Sequence, residues 1–144
     1  MKNGFTLVEL LIALVIVGIL MAVAVPNYAD YVLRSRRAEA RVALVESMQQ
    51  QERYYTRHNT YAAYSADDPH PGFRWWSGPG AGKSAYELAA APCQGAGLAE
   101  CVELRAIPGT AKVDALFADP ECGALFLRSD GRRGALGRAA GCWP

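Results

Sequence analysis

The N-terminal segment constrains the fold of this chain more than any other part. Gly4-Phe5-Thr6-Leu7-Val8-Glu9-Leu10-Leu11 opens an almost unbroken apolar run that reaches Val25. As a helix, residues 5–25 would be about 31 Å long, close to the ~30 Å hydrocarbon core of a bilayer. A helix that is apolar on all sides needs lipid or other helices around it. The sequence therefore predicts one membrane-spanning helix followed by a small exported domain.

One carboxylate, Glu9, lies inside this run. An ionised side chain in hydrocarbon costs roughly 2.5–3.5 kcal/mol on insertion scales, and such residues tend to be paired and functional. The residues before the run, Met1–Gly4, form a short polar leader. If a protease cuts after Gly4, the new α-amino group of Phe5 lies about 6 Å from Glu9 along the helix. We therefore expect the Phe5 amine and Glu9 to pair, within one subunit or between neighbours.

These residues resemble the class III signal of type IV pilins and of the pseudopilins of type II secretion. The resemblance implies that a prepilin peptidase cuts between Gly4 and Phe5 and then N-methylates Phe5. It also implies that Glu9 docks one subunit onto the next. A looser resemblance, to PilE-like pilins of Gram-negative bacteria, covers the end of the chain, where two cysteines frame the D-region loop. It rests on Cys122-Gly123-Ala124-Leu125-Phe126-Leu127 and Gly141-Cys142-Trp143.

A secretory signal peptide is the alternative reading of the N-terminus. Ala22-Val23-Ala24 matches an A-x-A cleavage site. Cleavage after Ala24 would release a soluble secreted binding domain that begins at Val25. The length of the apolar run and the carboxylate of Glu9 argue against this alternative.

The cysteines predict disulfides. The chain has four, and all follow the membrane span, so they lie in an oxidising compartment. Four cysteines allow three pairings. We expect Cys93–Cys101 and Cys122–Cys142, because each closes a plausible local loop. No C-x-x-C pair occurs and the histidines lie far upstream, so no metal site is expected.

After Pro26 the apolar pattern becomes amphipathic, which predicts that one helix continues from about Thr6 to about Arg57. Gly18 weakens the helix and Pro26 removes a backbone donor, so we expect a soft segment from Gly18 to Pro26. We expect the half before Pro26 to protrude. The half over residues 26–57 should pack on the rest of the chain, a small globular domain that we call the head. The predicted packed face is Arg36, Ala40, Ala43, Leu44, Ser47, Met48, Gln51 and Tyr55.

Residues 58–83 are rich in Gly and Pro and predict a long loop, the αβ loop of pilins. We expect the aromatic residues of this loop to pack it onto the helix and sheet; an exposed contact surface toward neighbouring subunits or a ligand is the alternative. Because Trp75 and Trp76 cannot both point inward, one of them is a candidate contact residue. Residues 84–144 follow as the predicted sheet and the disulfide-framed C-terminal region. Strands are expected at Tyr86–Ala90, where the alanines leave helix open, at Val102–Ile107 and at Ala124–Arg128. The fold class is α+β, pilin-like, with a small antiparallel sheet on the long helix.

No enzyme, cofactor or nucleic-acid partner is expected. Ser77-Gly78-Pro79-Gly80-Ala81-Gly82-Lys83-Ser84 nearly matches a phosphate-binding P-loop, but no buried parallel strand precedes it. With 15 basic and 14 acidic residues, the overall charge is balanced. A solvated loop is the expected role of the C-terminal arginines, which are Arg128, Arg132, Arg133 and Arg138.

The resemblance implies a structural subunit of a type IV pilus. A minor pilin for pilus initiation, twitching motility and adhesion is favoured, with a major pilin or a type II secretion pseudopilin as alternatives. The implied partners are other pilin subunits, the prepilin peptidase/methyltransferase and an inner-membrane assembly platform. We expect an inner-membrane protein with a cytoplasmic N-terminus, near Lys2, and a periplasmic head. Assembly would then move it into an extracellular pilus.

Overall fold

The computed structural model describes residues 5–143, without the side chains of residues 25–27. The predicted leader, Met1–Gly4, therefore lies outside the described residues, as does the side chain of Pro26. The chain forms two units, Met1–Ser35 and Arg36–Pro144. Among its described residues, the first contains Phe5, Thr6 and the helix that begins at Leu7, and the second contains the C-terminal part of that helix and the sheet.

Helix α1 comprises Leu7–His58 and is continuous, within one residue of each predicted end. The predicted soft segment from Gly18 to Pro26 is helical in the single subunit. In the first unit, the large apolar side chains from Leu7 to Val23 are between 50% and 77% exposed. This part of the helix therefore has no core of its own to bury it.

In the second unit, α1 presents a narrow face of small and polar residues to the core. Ala40 and Leu44 are fully buried and belong to the same hydrophobic cluster as the sheet residues. The prediction placed Arg36 on this face, and that was wrong. Arg36 is half-exposed and pairs with Glu39 at 3.1 Å. The buried arginine is Arg37, one position and about 100° further round the helix.

The sheet is a four-stranded antiparallel meander in the order β1-β2-β3-β4. Its inward side chains, including Leu88, Leu104 and Leu125, are at most 1% exposed and form the core against α1. The predicted antiparallel sheet is confirmed, and the turn at Ser129–Gly131 leads into a short fourth strand that was not predicted. The strands are β1 (Tyr86–Pro92), β2 (Val102–Pro108), β3 (Leu125–Arg128) and β4 (Arg133–Ala135).

The loop between α1 and β1 pairs with the outer edge of β1. Tyr64 and Ala90 exchange both backbone hydrogen bonds, at 3.2 and 2.8 Å, and the Leu88 N–H donates to the Trp75 carbonyl at 2.8 Å. The loop thus satisfies backbone groups of β1 that no strand reaches. Trp75 packs against the core, and the ring of Trp76 meets it edge-on with centroids 5.1 Å apart. A contact role for one tryptophan stays a prediction.

Candidate functional site

The carboxylate of Glu9 caps the N-terminus of α1. Its Oε2 accepts hydrogen bonds from the Thr6 backbone N–H at 3.0 Å and from the Thr6 hydroxyl at 2.9 Å. The Thr6 hydroxyl oxygen in turn accepts from the Glu9 N–H at 3.3 Å. This reciprocal arrangement is a capping box, which satisfies backbone donors that a helix start leaves unpaired. A negative side chain in the first turn also complements the helix dipole.

The capping box uses one oxygen of Glu9. None of the described residues donates a hydrogen bond to Oε1. Phe5 is 88% exposed, and its predicted cleavage partner Gly4 lies outside the described residues. The carboxylate can therefore keep its cap while a second donor binds its other oxygen.

The apolar surface around Glu9 is suited to lipid or to other helices. Among residues 5–143, α1 is long and apolar enough to cross a membrane. A Cβ added at Gly18 would have nothing within 4 Å, so the surface there is open for a neighbouring helix to approach. Apolar side chains this exposed are unstable in water, which favours transfer to hydrocarbon or association.

A buried ion pair joins α1 to the segment before β3. Arg37 Nε and Nη2 donate to Asp119 Oδ2 and Oδ1 at 2.8 and 2.6 Å. Asp119 also accepts from the Tyr86 hydroxyl at 2.7 Å and from the Cys122 N–H at 3.0 Å. Arg37 Nη2 reaches Glu121 at 2.8 Å as well. Each oxygen of the buried carboxylate thus has two donors.

These contacts shift the pKa values of the Asp119 carboxyl and of the Tyr86 hydroxyl. Burial acts to raise the pKa of Asp119, but hydrogen bonds from Arg37, Tyr86 and the Cys122 amide outweigh it and lower that pKa. Burial, followed by the hydrogen bond to Asp119, raises the pKa of the Tyr86 hydroxyl. The network is therefore held with Asp119 ionised and Tyr86 neutral, which are the states that its geometry requires.

Both predicted disulfides are confirmed. Cys93–Cys101 closes the loop between β1 and β2, and Cys122–Cys142 ties the C-terminus to the segment before β3. Arg41 on α1 donates to the Cys142 carbonyl at 2.9 Å. The Trp143 indole donates to the Gly134 carbonyl of β4 at 2.6 Å. The C-terminal region is thus fixed on the helix and on the sheet.

The C-terminal arginines differ in their surroundings. Arg128 is half-buried and pairs with Glu103 at 2.6 Å, so describing it as a solvated loop residue was wrong. The Arg133 guanidinium lies 5.6 Å from the centre of the Trp143 ring. Arg132 pairs with Asp130 at 3.0 Å and remains 73% exposed at its side chain, and Arg138 is exposed.

The P-loop-like segment is built differently from a phosphate-binding loop. Ala81–Lys83 is a single 3-10 turn, and β1, not a helix, follows it. The Ser84 hydroxyl accepts from the Gly78 N–H at 2.8 Å and donates to the Gly80 carbonyl at 2.8 Å. The serine is thus buried in its own turn. Within residues 5–143, no cluster of His, Cys, Asp and Glu is arranged to hold a metal ion.

Three residues of these hydrogen-bond networks were missed from the sequence, which are Thr6, Arg37 and Asp119. Thr6 was not singled out, although Thr6-Leu7-Val8-Glu9 carries the spacing of a capping box. Arg37 was placed outside the packed face, and its partner Asp119 is 82 positions away. No local pattern connects residues at that separation.

Family models cover most of the chain. Residues 26–126 match the model described as "Type IV minor pilin ComP, DNA uptake sequence receptor". Residues 1–25 match the model of the prokaryotic N-terminal methylation motif. The boundary between the two matches falls next to Pro26, where the apolar run ends.

Curated relatives and a solved structure agree with these models. The type IV major pilin protein PilE1 of Neisseria gonorrhoeae is 44% identical over 62 residues, 42% of this chain and 37% of that protein. The fimbrial protein EcpC of Eikenella corrodens is 56% identical over 39 residues, 27% of this chain. The chain spans 37% and 26% of the lengths of these two relatives.

The crystal structure of the non-core minor pilin PilV of Neisseria meningitidis superposes with a TM-score of 0.50. It is 19% identical, and the match covers 78% of this chain and 94% of PilV. At this identity the likeness concerns the fold alone. It places the long helix and antiparallel sheet among pilin folds.

Proposed function

Because the chain belongs to the type IV minor pilin ComP family, a family of structural pilin subunits, we propose that it is a minor subunit of a type IV pilus. The carrying observation is the exposed apolar half of α1, whose large side chains from Leu7 to Val23 are 50–77% exposed around one carboxylate. Before assembly this surface anchors the subunit in the membrane. After assembly it packs against the same surface of neighbouring subunits.

Burial of this surface stabilises the subunit both in the membrane and in the filament. Each fully buried large aliphatic side chain contributes about 1.5–3 kcal/mol relative to water. In the membrane that gain is already made, so transfer into a filament is close to neutral for the apolar residues. Packing and polar contacts must then decide the register. Glu9 is the one ionisable side chain of the apolar run.

Glu9 sets the register by pairing with the α-amino group of Phe5 on the neighbouring subunit. Oε1, to which no described residue donates, can receive that amine while Oε2 keeps the Thr6 cap. A subunit in the wrong register would bury the charge of Glu9 without an opposite charge beside it, which costs several kcal/mol. Glu9→Ala should leave the protein in the membrane and reduce its incorporation into pili. Normal incorporation of the Glu9→Ala variant would rule out the proposed pairing of Glu9 with the Phe5 amine.

Proteolytic cleavage produces the proposed N-terminus at Phe5. The match of residues 1–25 to the N-terminal methylation motif supports cleavage by a prepilin peptidase. We place the cut between Gly4 and Phe5, with methylation of Phe5, on the cytoplasmic side of the inner membrane. The head then faces the periplasm, and the inner-membrane assembly platform extracts the subunit.

Intact mass and N-terminal peptide mapping of the native protein test this step. The expected chain begins at Phe5 and carries one additional methyl group. A chain that begins at Val25 would instead identify a soluble secreted domain cleaved after Ala24. That result would also end the role proposed for Glu9.

The abundance of the chain in filaments and the phenotype of a deletion strain distinguish a minor pilin from a major pilin and from a type II secretion pseudopilin. A minor pilin should be scarce in sheared filaments, and a major pilin should dominate them. A deletion strain should lose twitching motility while type II secretion continues. Loss of secretion with intact twitching would indicate a pseudopilin. A filament composed mainly of this chain would indicate a major pilin, as the match to PilE1 allows.

Double-stranded DNA is a second candidate partner. The description of the matching family names a DNA uptake sequence receptor, and Arg132 and Arg138 are exposed near the C-terminus. Exposed arginines neutralise phosphates and make binding depend on salt. This candidate runs against the expectation drawn from the balanced overall charge.

Fluorescence anisotropy with full-length protein in detergent tests DNA binding. We expect Arg132→Ala combined with Arg138→Ala to weaken binding and to lower the salt slope by about 2. Arg57→Ala, which removes an exposed arginine at the end of α1, is the matched control. Equal binding by the double variant and the control would exclude these arginines as the contact.

A further inference from the structure

A tight turn in the loop after α1 closes over the last turns of the helix. The Phe73 N–H donates to the His70 carbonyl at 3.1 Å, and Gly72, the third residue of the turn, has φ +89°. Pro71 second and a left-handed glycine third are the residues that a type II turn favours. The His70 ring is fixed as well, because its Nδ1–H donates to the Pro71 carbonyl at 2.9 Å. The sequence of the turn therefore determines its conformation.

The turn places aromatic rings against Tyr54 of α1. The Tyr54 ring meets His70 and Phe73 edge-on, with centroids 5.3 and 5.9 Å apart. On α1 itself, the centroid of His58 lies 4.1 Å from that of Tyr54. Phe73 is held from the core side, because it stacks on the buried ring of Tyr64 at 5.2 Å. The half-exposed rings of Tyr54 and Phe73 thus form one wall.

A cleft lies between this wall and two arginines of α1. Its volume is about 250 Å³. Arg53 and Arg57 are four positions apart on the helix, so their Cβ atoms lie roughly 5–6 Å apart on one face. We call this site the arginine cleft. Its lining includes Gln50, Arg53, Tyr54, Arg57, Gly72 and Phe73.

The two guanidinium groups of the arginine cleft are available to a ligand. Both arginines are exposed, and within residues 5–143 neither guanidinium has a hydrogen bond or an ion pair. The carboxylates nearest to them along α1 are engaged, Glu52 with the Tyr61 hydroxyl and Glu46 with Arg74. The helix dipole acts within the last turn, which contains Arg57 but not Arg53, so it does not account for both.

The chemistry of the arginine cleft defines a class of ligand. A guanidinium group binds a carboxylate through two parallel hydrogen bonds. The aromatic wall favours the apolar face of a ring, and the Gln50 amide can donate to or accept from a hydroxyl. The volume is below the roughly 300–1,000 Å³ of sites for drug-sized ligands, so one ring fits. The bases of a DNA duplex are stacked inside it and offer no free face to the wall.

We propose that the arginine cleft binds an acidic sugar, a single hexose ring that bears a carboxylate, at the end of a surface glycan. The carboxylate lies between Arg53 and Arg57, and the ring packs on Tyr54 and Phe73. This inference goes beyond the structural role in a pilus and is the same for a scarce or an abundant subunit. It gives the head a recognition site that the apolar helix does not supply.

A matched pair of sugars tests the site. Full-length protein in detergent is titrated with methyl glucuronide and with methyl glucoside, which has the same ring without the carboxylate, and binding is followed by saturation-transfer NMR of the sugar. For a single ring we expect a Kd of about 1 mM for the glucuronide. Binding of the glucoside should be about tenfold weaker, because the charged hydrogen bonds are lost. Equal binding of the two sugars, or no binding of the glucuronide, would overturn the proposal.

Charge-removing variants locate the site. Arg53→Gln combined with Arg57→Gln should weaken glucuronide binding about tenfold, to the level of the glucoside. Arg132→Gln combined with Arg138→Gln is the matched control, since it removes two exposed arginines that do not line the cleft. Near-UV circular dichroism confirms that each variant is folded. An equal loss in both double variants would show that the sugar responds to overall charge and would overturn the site.

The aromatic wall has a test of its own. Tyr54→Leu keeps an apolar side chain but removes the ring face, and should weaken glucuronide binding about threefold. Unchanged binding by this variant would exclude Tyr54 as the wall and overturn the proposed pose.

Competition identifies the occupant of the cleft. Inorganic phosphate and a short DNA duplex, each added to the glucuronide complex, should displace the sugar only weakly. Displacement at concentrations below that of the sugar, lost in the Arg53→Gln/Arg57→Gln variant, would assign the cleft to phosphate groups and overturn the acidic sugar. All these measurements use purified protein. A chain that binds the sugar but is absent from pili would end the pilus proposal alone, and a pilus subunit that binds no glucuronide would end this inference alone.

Discussion

Arg37 and Asp119 form a two-point ion pair across 82 positions of the chain, with donor–acceptor distances of 2.8 and 2.6 Å. The pair connects the first buried turn of α1 in the head to the segment that carries Cys122. Because Tyr86 of β1 also donates to Asp119 at 2.7 Å, one carboxylate joins helix, sheet and C-terminal region. The arrangement has direct consequences for stability.

Asp119→Asn should destabilise the folded protein by about 3 kcal/mol, because the buried Arg37 would keep only the exposed carboxylate of Glu121 as a counter-charge. Urea unfolding of the full-length chain in detergent, followed by near-UV circular dichroism, measures the loss. Asp130→Asn is the matched control, since Asp130 lies at an exposed turn. A loss no larger than that of the control would contradict the role assigned to the pair.

Acid should weaken the fold through the same carboxylate. The pKa of Asp119 is lowered in the folded state, so its contribution is present above its unfolded pKa, about 3.9, and is lost as pH falls through the folded value. The pKa of Glu103 is lowered too, because hydrogen bonds from Arg105 and Arg128 outweigh burial. Thermal unfolding measured between about pH 5 and pH 2 should show this loss.

The Asp119→Asn variant supplies the control for the acid experiment. It lacks the titrating group, so the gap in stability between it and the wild type should narrow as pH falls below about 3.9. A gap that stays constant across this range would mean that Asp119 titrates equally in folded and unfolded chains.

Thr6 and Glu9 should separate helix capping from subunit docking. Thr6→Ala removes the hydroxyl of the capping box and should cost about 1 kcal/mol of helix stability, leaving incorporation into pili largely intact. Glu9→Ala removes both the cap and the pairing carboxylate, so incorporation should fall much further. Quantitative immunoblots of sheared pili and membranes compare the two. Equal defects would assign Glu9 to capping rather than docking.

The Cys122–Cys142 bridge should stabilise the head by restricting the unfolded chain. Its two cysteines are separated by 20 positions, and loops of that size contribute about 3 kcal/mol. Replacing both cysteines by serine should lower the unfolding midpoint and release Trp143 from Gly134, which tryptophan fluorescence reports. The Cys93–Cys101 pair, with a separation of 8, should give a smaller loss. The opposite order would contradict the loop-length argument.

Local patterns were sufficient for much of the structure. The apolar run and the amphipathic pattern after Pro26 predicted α1 because helical periodicity is repeated many times along it. Alternation in Val102–Ile107 predicted β2 for the same reason. Both disulfides followed because their loops are short. These features depend on neighbours in sequence, so the sequence is enough to identify them.

The features that were missed depend on distant residues or on a single position. The choice between Arg36 and Arg37 turns on about 100° of helix rotation, and the buried partner Asp119 decides it. Strand β4 contains Arg133, Gly134 and Ala135, too few residues to show alternation. A Cβ at Gly134 would come within 2.8 Å of the Phe126 ring, so its place in the sheet is set by the side chain opposite it.

The pairing of Tyr64 and Trp75 with the edge of β1 also protects the subunit from exchanging strands with other molecules. Unpaired strand edges recruit strands from other molecules, and crowding makes that exchange more frequent. Subunits packed side by side in a fibre are at a very high local concentration. With β1 covered and β4 only three residues long, the described part of the head offers little template for strand exchange. The described part of the head therefore disfavours an irreversible aggregate built by strand exchange between neighbouring subunits.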